Sequence, residues 1–361
     1  MSVLEYKCPN CGGGLAFGSE AQKMKCPYCD GEFNLSDVEV YNASLQDDTT
    51  KDHWEKYEAD SGSGSWTQEE LDSLNVYTCP SCGGEIFADE NTAATFCPYC
   101  ENPAILPGRL ADAFKPDLLI PFSQDKKAAQ AAFLRLCKGK RLLPKNYTSQ
   151  QRLEKITGIY VPFWLYDGDT AGSARYSATR THVWADSKYN YTRTDHFLLI
   201  RGGSMTYQGV PVDGSKKMDD AYMESIEPFD YSKAVPFGFA YLSGYLADKY
   251  DMDAAQCQPR AESRMRQTTA DALRSTVHGY VTVLPQQTSL HVKSGKARYV
   301  LLPVWLLNSQ YKGKTYTFAM NGQTGKIVGQ LPVDMGRFWL HLAGIWGSLF
   351  AAFSLLCLLL R

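Results

Sequence analysis

The sequence predicts two small β ribbons, an α+β domain with an internal repeat, and one C-terminal transmembrane helix. Three observations lead there: eight cysteines in two sets of matched spacing, a strand text that recurs 141 residues later, and a 23-residue uncharged run near the C-terminus. The 361 residues are 44% hydrophobic, and their 16 Phe, 22 Tyr and 7 Trp supply core material that a disordered chain lacks. A net charge of −2 excludes a uniformly basic, histone-like protein. That average hides an asymmetry. Residues 1–115 carry seven Lys and Arg against 20 Asp and Glu, a balance of −13, whereas residues 116–361 carry 30 against 19, a balance of +11.

The cysteines come first in the chain. Cys8/Cys11, Cys26/Cys29, Cys79/Cys82 and Cys97/Cys100 are four Cys-Pro-x-Cys pairs, and 14 residues separate the inner cysteines of each set. One module, C-x2-C-x14-C-x2-C, is therefore repeated at an offset of 71, with ribbons expected over 1–40 and 76–110. A Cys-x-x-Cys turn holds two thiolates on one side of a tight loop, and two such knuckles complete a tetrahedron around Zn²⁺. Four thiolates close the coordination sphere, so the two zinc ions are expected to be structural. Gly12-Gly13 and Gly83-Gly84 follow the first knuckles, where a positive φ is expected. The 14 intervening residues suit a short hairpin. Such a module is too small to fold by burial alone, so metal binding drives its folding. A disulfide framework needs an oxidising compartment, and the opening MSVLEYKC lacks the apolar core of a secretory signal. A thioredoxin-type redox site uses one Cys-x-x-Cys on a βαβ unit, not four in register. Cys137, Cys257 and Cys357 read as plain buried or lipid-facing residues.

Residues 41–75 read as an acidic, flexible linker carrying Asp47, Asp48, Asp52, Glu55, Glu58 and Asp60 and the run SGSGS at 61–65. Thr67 followed by Glu70 and Leu71 forms a capping box that opens a short helix.

Residues 116–332 read as the α+β domain. Val161-Pro-Phe-Trp-Leu165 matches Leu302-Pro-Val-Trp-Leu306, strand patterns cover 156–182 and 297–329, and helical stretches Asp125–Cys137 and Glu262–His278 precede them. Lys312-Gly313 and Asn321-Gly322 are hairpin turn signals. Between the halves lie strand-like text over 196–210 and an aromatic-rich stretch over 219–255 that reads as helical. Two related halves are expected to form one curved sheet system or two packed small sheets. Trp164 and Trp305, in matched positions, read as core. Lys138, Lys140, Arg141 and Lys145 form a cationic cluster that is either a solvated face or faces anionic lipid.

The sequence offers no catalytic constellation. There is no G-x-x-x-x-G-K-[ST] loop, since Gly322-Gln-Thr-Gly-Lys326 is too short, and neither H-E-x-x-H nor G-x-S-x-G occurs. The six histidines (His53, His182, His196, His278, His291 and His341) lack ligand spacing. Asp195-His196 and the Asp167/Asp169 pair read as turn and surface chemistry. The expectation is a non-enzyme with no catalytic or cofactor-binding residues beyond the metal ligands.

The last element is the run from Phe338 to Leu360, bracketed by Arg337 and Arg361, with Trp339 at the expected interface. At about 1.5 Å per residue it spans about 35 Å, enough for a hydrocarbon core of about 30 Å. The span is placed at 337–360. A single-pass, tail-anchored protein of the cell membrane is expected, with its N-terminal bulk in the cytoplasm. Ala343-x-x-x-Gly347 and Gly344-x-x-x-Ser348 are small-residue pairs of the kind that either mark a helix contact or arise by chance.

The texts CPxCGG…KCPYC, TAATFCPYCENPAI (92–105), IYVPFWLYD (159–167) and YKGKTYTFAMNGQTGKIVG (311–329) together resemble a bacterial family. Its members are membrane proteins with transcription-factor-IIB-type double zinc ribbons, often named primosomal-helicase-like or phage-replication-like. The resemblance covers essentially the whole chain. With no phosphate loop and no helicase motor, helicase activity does not carry over. What the resemblance implies is a membrane-anchored adaptor with partners of the stomatin/prohibitin/flotillin or phage-shock type, in envelope stress or membrane organisation. The zinc ligands carry over as Cys8, Cys11, Cys26, Cys29, Cys79, Cys82, Cys97 and Cys100. Glu101 departs from the pattern, standing where glycine is expected.

Two functions compete. An adaptor that recruits a protein partner agrees with the −13 balance of the N-terminal region, which each zinc centre of four thiolates makes more negative. A nucleic-acid-binding ribbon of the replication or transcription type needs Lys and Arg against phosphate. The first ribbon offers only Lys7, Lys23 and Lys25, and the second none from Cys79 through Cys100. The adaptor is the reading favoured.

Overall fold

A computed structural model of the full chain describes residues 6–19, 22–46, 52, 54–55, 57, 66–89, 92, 94, 96–103, 106–107 and 114–359. Asp47, Asp48, Glu58, Asp60, the SGSGS run, Leu360 and Arg361 lie outside the described residues. In chain order the elements begin with β1 (Ala16–Gly18), β2 (Lys23–Lys25), β3 (Glu32–Phe33) and α1 (Leu35–Gln46), then α2 (Gln68–Asp72), β4 (Leu74–Thr78), β5 (Glu85–Asp89) and β6 (Leu106–Pro107). They continue with β7 (Leu118–Leu119), α3 (Lys126–Cys137), α4 (Gln150–Glu154), β8 (Thr157–Ala185), β9 (Asn190–Asp213), α5 (Asp220–Ser225), β10 (Val235–Pro236) and β11 (Leu246–Asp248). The chain closes with α6 (Ala254–Ser275), β12 (Thr282–Tyr311), β13 (Lys314–Asn321), β14 (Ile327–Gly329) and α7 (Met335–Leu359).

The chain divides into two compact units, one of residues 1–57, 165–212 and 254–297, the other of residues 58–164, 213–253 and 298–361. The long strands β8, β9 and β12 contribute residues to both.

In the first unit, β1, β2 and β3 form a three-stranded antiparallel sheet, with Ala16 opposite Lys25 and Met24 opposite Phe33. Its interior is small: among the described residues Cys8, Pro9, Met24, Cys26 and, on α1, Val38 are buried. Asn42 of α1 accepts the Lys7 N–H at 2.8 Å and donates to the Lys7 carbonyl at 3.2 Å, tying the helix to the first knuckle. Elsewhere in this unit α6 presents Ala254, Cys257, Ala261, Met265, Thr269 and Leu273 inward. These recur every three or four residues and so lie on one helical stripe. Leu273 packs with Ala174, Tyr176 and Leu290.

The second unit holds a large mixed sheet in the order β10-β7-β12-β8-β11-β5-β4-β6, with β13 and β14 added beyond β12. The β11–β8 and β12–β7 pairs are parallel and the other pairs with a defined register are antiparallel. Helix α3 covers part of it. Asp125 accepts the Ala128 N–H at 2.7 Å as its cap, and Ala129, Ala132, Phe133 and Cys137 form the buried face. Phe133 meets Phe318 edge-on at 5.3 Å. Trp164 and Trp305 are both buried, and each indole N–H donates to a main-chain carbonyl, that of Met252 at 2.8 Å and that of Gln124 at 2.9 Å. A buried indole with a satisfied donor is core material.

The turn chemistry appears where the residues predict it. Lys312 and Gly313 both take positive φ between paired Tyr311 and Lys314, and Thr67 with Glu70 completes the capping box. The stretch 219–255 corrects the helical expectation. Before α6 begins at Ala254, only α5 and two short 3₁₀ turns are helical there, and β10 and β11 are strands. Pro228, Pro236, Gly238 and Gly244 break the helix. Helix α6 starts earlier than the expected Glu262, at Ala254. Strands β9 and β12 also start earlier than the patterns over 196–210 and 297–329, at Asn190 and Thr282.

Candidate metal centres

Each knuckle is built the same way four times. The residue after the second cysteine returns its N–H to the first cysteine's carbonyl: Gly12 to Cys8 at 2.8 Å, Asp30 to Cys26 at 3.0 Å, Gly83 to Cys79 and Glu101 to Cys97 at 2.9 Å. The first cysteine's own N–H donates to the carbonyl five residues on: Cys8 to Gly13 at 2.7 Å, and Cys26 to Gly31, Cys79 to Gly84 and Cys97 to Asn102, each at 2.9 Å. Closing so tight a loop forces the pivot residue to positive φ, and Gly12, Asp30, Gly83 and Glu101 have φ of 76°, 56°, 71° and 59°. Glycine takes that conformation without steric cost, whereas Asp30 and Glu101 do so against it. Glu101 is also held by Lys155, Nζ to Oε2 3.0 Å.

The loops bring the predicted ligands together in full. Cys8, Cys11, Cys26 and Cys29 form one quartet and Cys79, Cys82, Cys97 and Cys100 the other, with all sulfurs of a quartet within 4.8 Å of one another. Cys8 and Cys29 are 3.7 Å apart, Cys11 and Cys26 3.5 Å, Cys79 and Cys100 3.5 Å, and Cys82 and Cys97 3.6 Å. The first cysteine of every pair is buried, and the second is exposed or, for Cys100, half-buried. Each quartet is therefore arranged to hold a metal ion.

The thiol shifts are mixed: Cys8, Cys11, Cys82 and Cys97 are raised, and only Cys26 and Cys79 are lowered. Burial works against ionising Cys26, but N–H groups of Tyr28 and Cys29 and the neighbouring thiols outweigh it and bring it down to about 7. Cys79 likewise falls to about 7 under the N–H groups of Cys82 and Ser81, despite burial. Cys97 moves the other way, chiefly through burial. The remaining thiols Cys137 and Cys257 are buried away from the quartets, burial pushing Cys137 up to about 11, and Cys357 is exposed on α7.

The surroundings of the second quartet carry residues that spacing alone does not reveal. Asn308, buried on β12, donates to the Pro98 carbonyl at 3.0 Å and accepts from the Thr317 hydroxyl at 2.6 Å. Lys217 places its ammonium 5.6 Å over the Tyr99 ring and pairs with Asp248 at 2.9 Å and Asp251 at 3.1 Å. Burial pulls the Lys217 ammonium down, but Asp248 and Asp251 more than offset it and hold it above the usual lysine value. Ser215 completes the buried group, its hydroxyl donating to Asp248 at 2.9 Å. Lys217 is the residue most easily missed: in Gly-Ser-Lys-Lys it reads as a solvated lysine.

Asp195, Asp167 and Asp169 each have a partner nearby. Asp195 pairs with Arg193 at 2.8 Å, Asp167 accepts the Gly209 N–H at 2.7 Å, and Asp169 accepts the Thr206 hydroxyl at 2.6 Å.

Helix α7 is long and apolar enough to cross a membrane, and its apolar side chains, among them Leu340, Trp346, Phe350 and Leu358, are exposed. Its 25 residues reach about 37 Å at about 1.5 Å each.

The chain is 34% identical over 360 residues to an uncharacterized protein of Bacillus subtilis (strain 168), YdjG, in an alignment covering 99% of this chain and 98% of that protein. The chain belongs to the family of that protein. No protein-family model matches it, and no solved structure matches it.

Proposed function

We propose that this protein is a non-enzymatic, membrane-anchored adaptor whose two four-cysteine centres hold structural zinc and whose zinc-bearing and α+β regions recruit a protein partner on the cytoplasmic side. The observation that carries the reading is the presence of two closed four-sulfur sites on a chain that also has an uncovered apolar helix. Four thiolates select Zn²⁺ among the abundant divalent ions, and with every position taken by sulfur no site remains for substrate or water. Tetrahedral Zn–S bonds of about 2.3 Å imply sulfur–sulfur edges of about 3.8 Å. The closest pairs, at 3.5 to 3.7 Å, lie near that value. A quartet of thiolates binds metal only while reduced, a requirement that a cytoplasmic location meets. Deep burial of α7 in a soluble core is disfavoured by its exposed apolar side chains. The −13 balance of residues 1–115 disfavours phosphate contact and favours a protein partner, with scaffold proteins of the stomatin/prohibitin/flotillin or phage-shock type as the first ones to look for. Matched burial of Trp164 and Trp305 supports two related halves in the α+β region.

The test is a crosslinked, nuclease-treated pull-down of the full-length protein from native membranes, read by mass spectrometry beside the Cys79→Ser/Cys82→Ser variant. Scaffold or stress proteins enriched by the parent and lost with the variant are expected. Enrichment of replication or transcription proteins that vanishes with nuclease overturns the adaptor in favour of nucleic-acid binding.

A further inference from the structure

Residues 134–148, Leu-Arg-Leu-Cys-Lys-Gly-Lys-Arg-Leu-Leu-Pro-Lys-Asn-Tyr-Thr, hold five cations and no carboxylate. They form the end of α3 and the loop after it, and they meet the start of α7 inside the second unit. The Asp334 N–H donates to the Leu142 carbonyl at 2.8 Å, and the Arg337 guanidinium donates to the carbonyls of Leu143 and, at 3.4 Å, Arg141. The base of the apolar helix is thus fastened to the main chain of the cationic loop.

Between them lies a cavity of about 500 Å³. Arg135, Lys138, Lys140, Lys145 and Arg337 line it, together with the apolar side chains of Leu134, Leu143 and Pro144. Arg135, Lys138, Lys140 and Lys145 are exposed, Arg337 is half-buried, and among the described residues no carboxylate pairs with any of the five. Asp334, the nearest acid in the chain, spends its carboxylate capping α7 through the Gly336 N–H at 2.9 Å. Phe338 and Trp339 follow on the helix, exposed, as interfacial aromatics do.

Exposed cations in water repel one another only weakly, so these side chains are free to converge on an anion. Its place decides which anion. If α7 crosses the bilayer, the cavity lies one turn from the membrane surface, where anionic headgroups are concentrated and each nearby cation adds to their binding. The half-apolar lining suits a glycerol backbone and the first methylenes of an acyl chain better than a nucleic-acid backbone, which needs an open polar track. We propose that this cavity binds the phosphate headgroup of an anionic phospholipid, fixing the protein against the leaflet at the base of α7. The proposal rests on the membrane-spanning reading of α7.

The test uses full-length protein in a neutral detergent and native mass spectrometry with added phosphatidylglycerol or phosphatidylcholine, with inorganic phosphate and a short DNA duplex as competitors. The parent is expected to retain phosphatidylglycerol over phosphatidylcholine. Lys138→Gln/Lys140→Gln/Lys145→Gln is expected to weaken that retention on the order of a hundredfold, roughly fivefold per cation. Lys138→Arg/Lys140→Arg/Lys145→Arg keeps the charge and is expected to keep the lipid, which separates loss of the site from loss of the fold. Equal retention of both lipids, or an unchanged Gln variant, overturns the proposal. So does displacement by millimolar phosphate alone, which marks a free-phosphate site, or preferential capture of the duplex by the same lysines. The membrane reading is tested apart from this, by whether full-length protein sediments with vesicles of phosphatidylcholine alone. Sedimentation there with no lipid preference in the spectrometer leaves the span standing and the lipid site refuted.

Discussion

The two Cys-Pro-Tyr-Cys knuckles have the same text and the same hydrogen bonds, yet Tyr28 is 77% exposed and Tyr99 only 7%. The difference lies in what surrounds each quartet. The first closes a three-stranded sheet and buries little besides Cys8, Pro9, Met24, Cys26 and Val38. The second is continuous with a core: Ile86, Phe87 and Ala88 of β5 are buried, and β5 pairs with β11, Ala247 opposite Phe87. Three positions of its last knuckle are each held from outside, Pro98 by Asn308, Tyr99 by Lys217 and Glu101 by Lys155. One local motif thus closes a small three-stranded sheet in one place and forms a corner of a large mixed sheet in the other. On the proposed reading, metal in the first would stabilise one ribbon, and metal in the second would stabilise a sheet.

The largest effect expected from that contrast is on global folding. Cys79→Ser/Cys82→Ser removes half the proposed ligands of the second quartet and, if metal binding supplies the folding free energy there, is expected to leave the second unit unprotected in hydrogen exchange. Cys8→Ser/Cys11→Ser is expected to expose only residues 6–46, with the sheet amides of the second unit unchanged. Similar loss of protection in both variants breaks the comparison.

Next is Lys217→Met, which leaves Asp248 buried without its cation, at a cost of about 3–5 kcal/mol. Denaturant titration of the full-length protein in detergent checks it. Tyr28→Ala, on the exposed ribbon, is expected to change stability by less than about 1 kcal/mol.

The smallest effect concerns the pivots. Asp30→Gly relieves positive φ and is expected to stabilise the first ribbon by up to about 1 kcal/mol. Glu101→Gly relieves the same strain but gives up the Lys155 pair, worth about 0.5 kcal/mol at a half-exposed site, and so gains less. Hydrogen exchange of the two knuckle amides ranks them, and a larger gain at Glu101 argues that the ion pair contributes nothing.

The metal quartets were legible because ligand chemistry imposes spacing, and spacing is visible in a single sequence. Gly12 and Gly83 announced their positive φ, whereas Asp30 and Glu101 concealed the same geometry, since a charged residue normally avoids it. The docking of the second ribbon was not legible. Its partner strand, Leu246–Asp248, is three residues long and lies about 160 residues from Phe87, too short to show any period. Lys217 was hidden for a similar reason, because its burial depends on Asp248, brought near only by the sheet. Over 219–255 the aromatic content resembled a helix face, but the prolines and glycines there decide the backbone, and of the aromatics only Phe229 is buried while Tyr241 is exposed.

Metal content with its order of release tests the central claim most directly. Elemental analysis of full-length protein, followed by chelator titration at pH 7 and at lower pH, reads both. Two zinc ions per chain are expected, falling to one in either double-serine variant. The ion at Cys8, Cys11, Cys26 and Cys29 is expected to leave first, because its knuckles are more open and lack a neighbouring Lys217. Both are expected to leave more readily as pH falls, since protons compete with the metal for thiolate sulfur. Iron with visible absorption, no bound metal in full-length protein, or release of the second ion before the first would contradict the account.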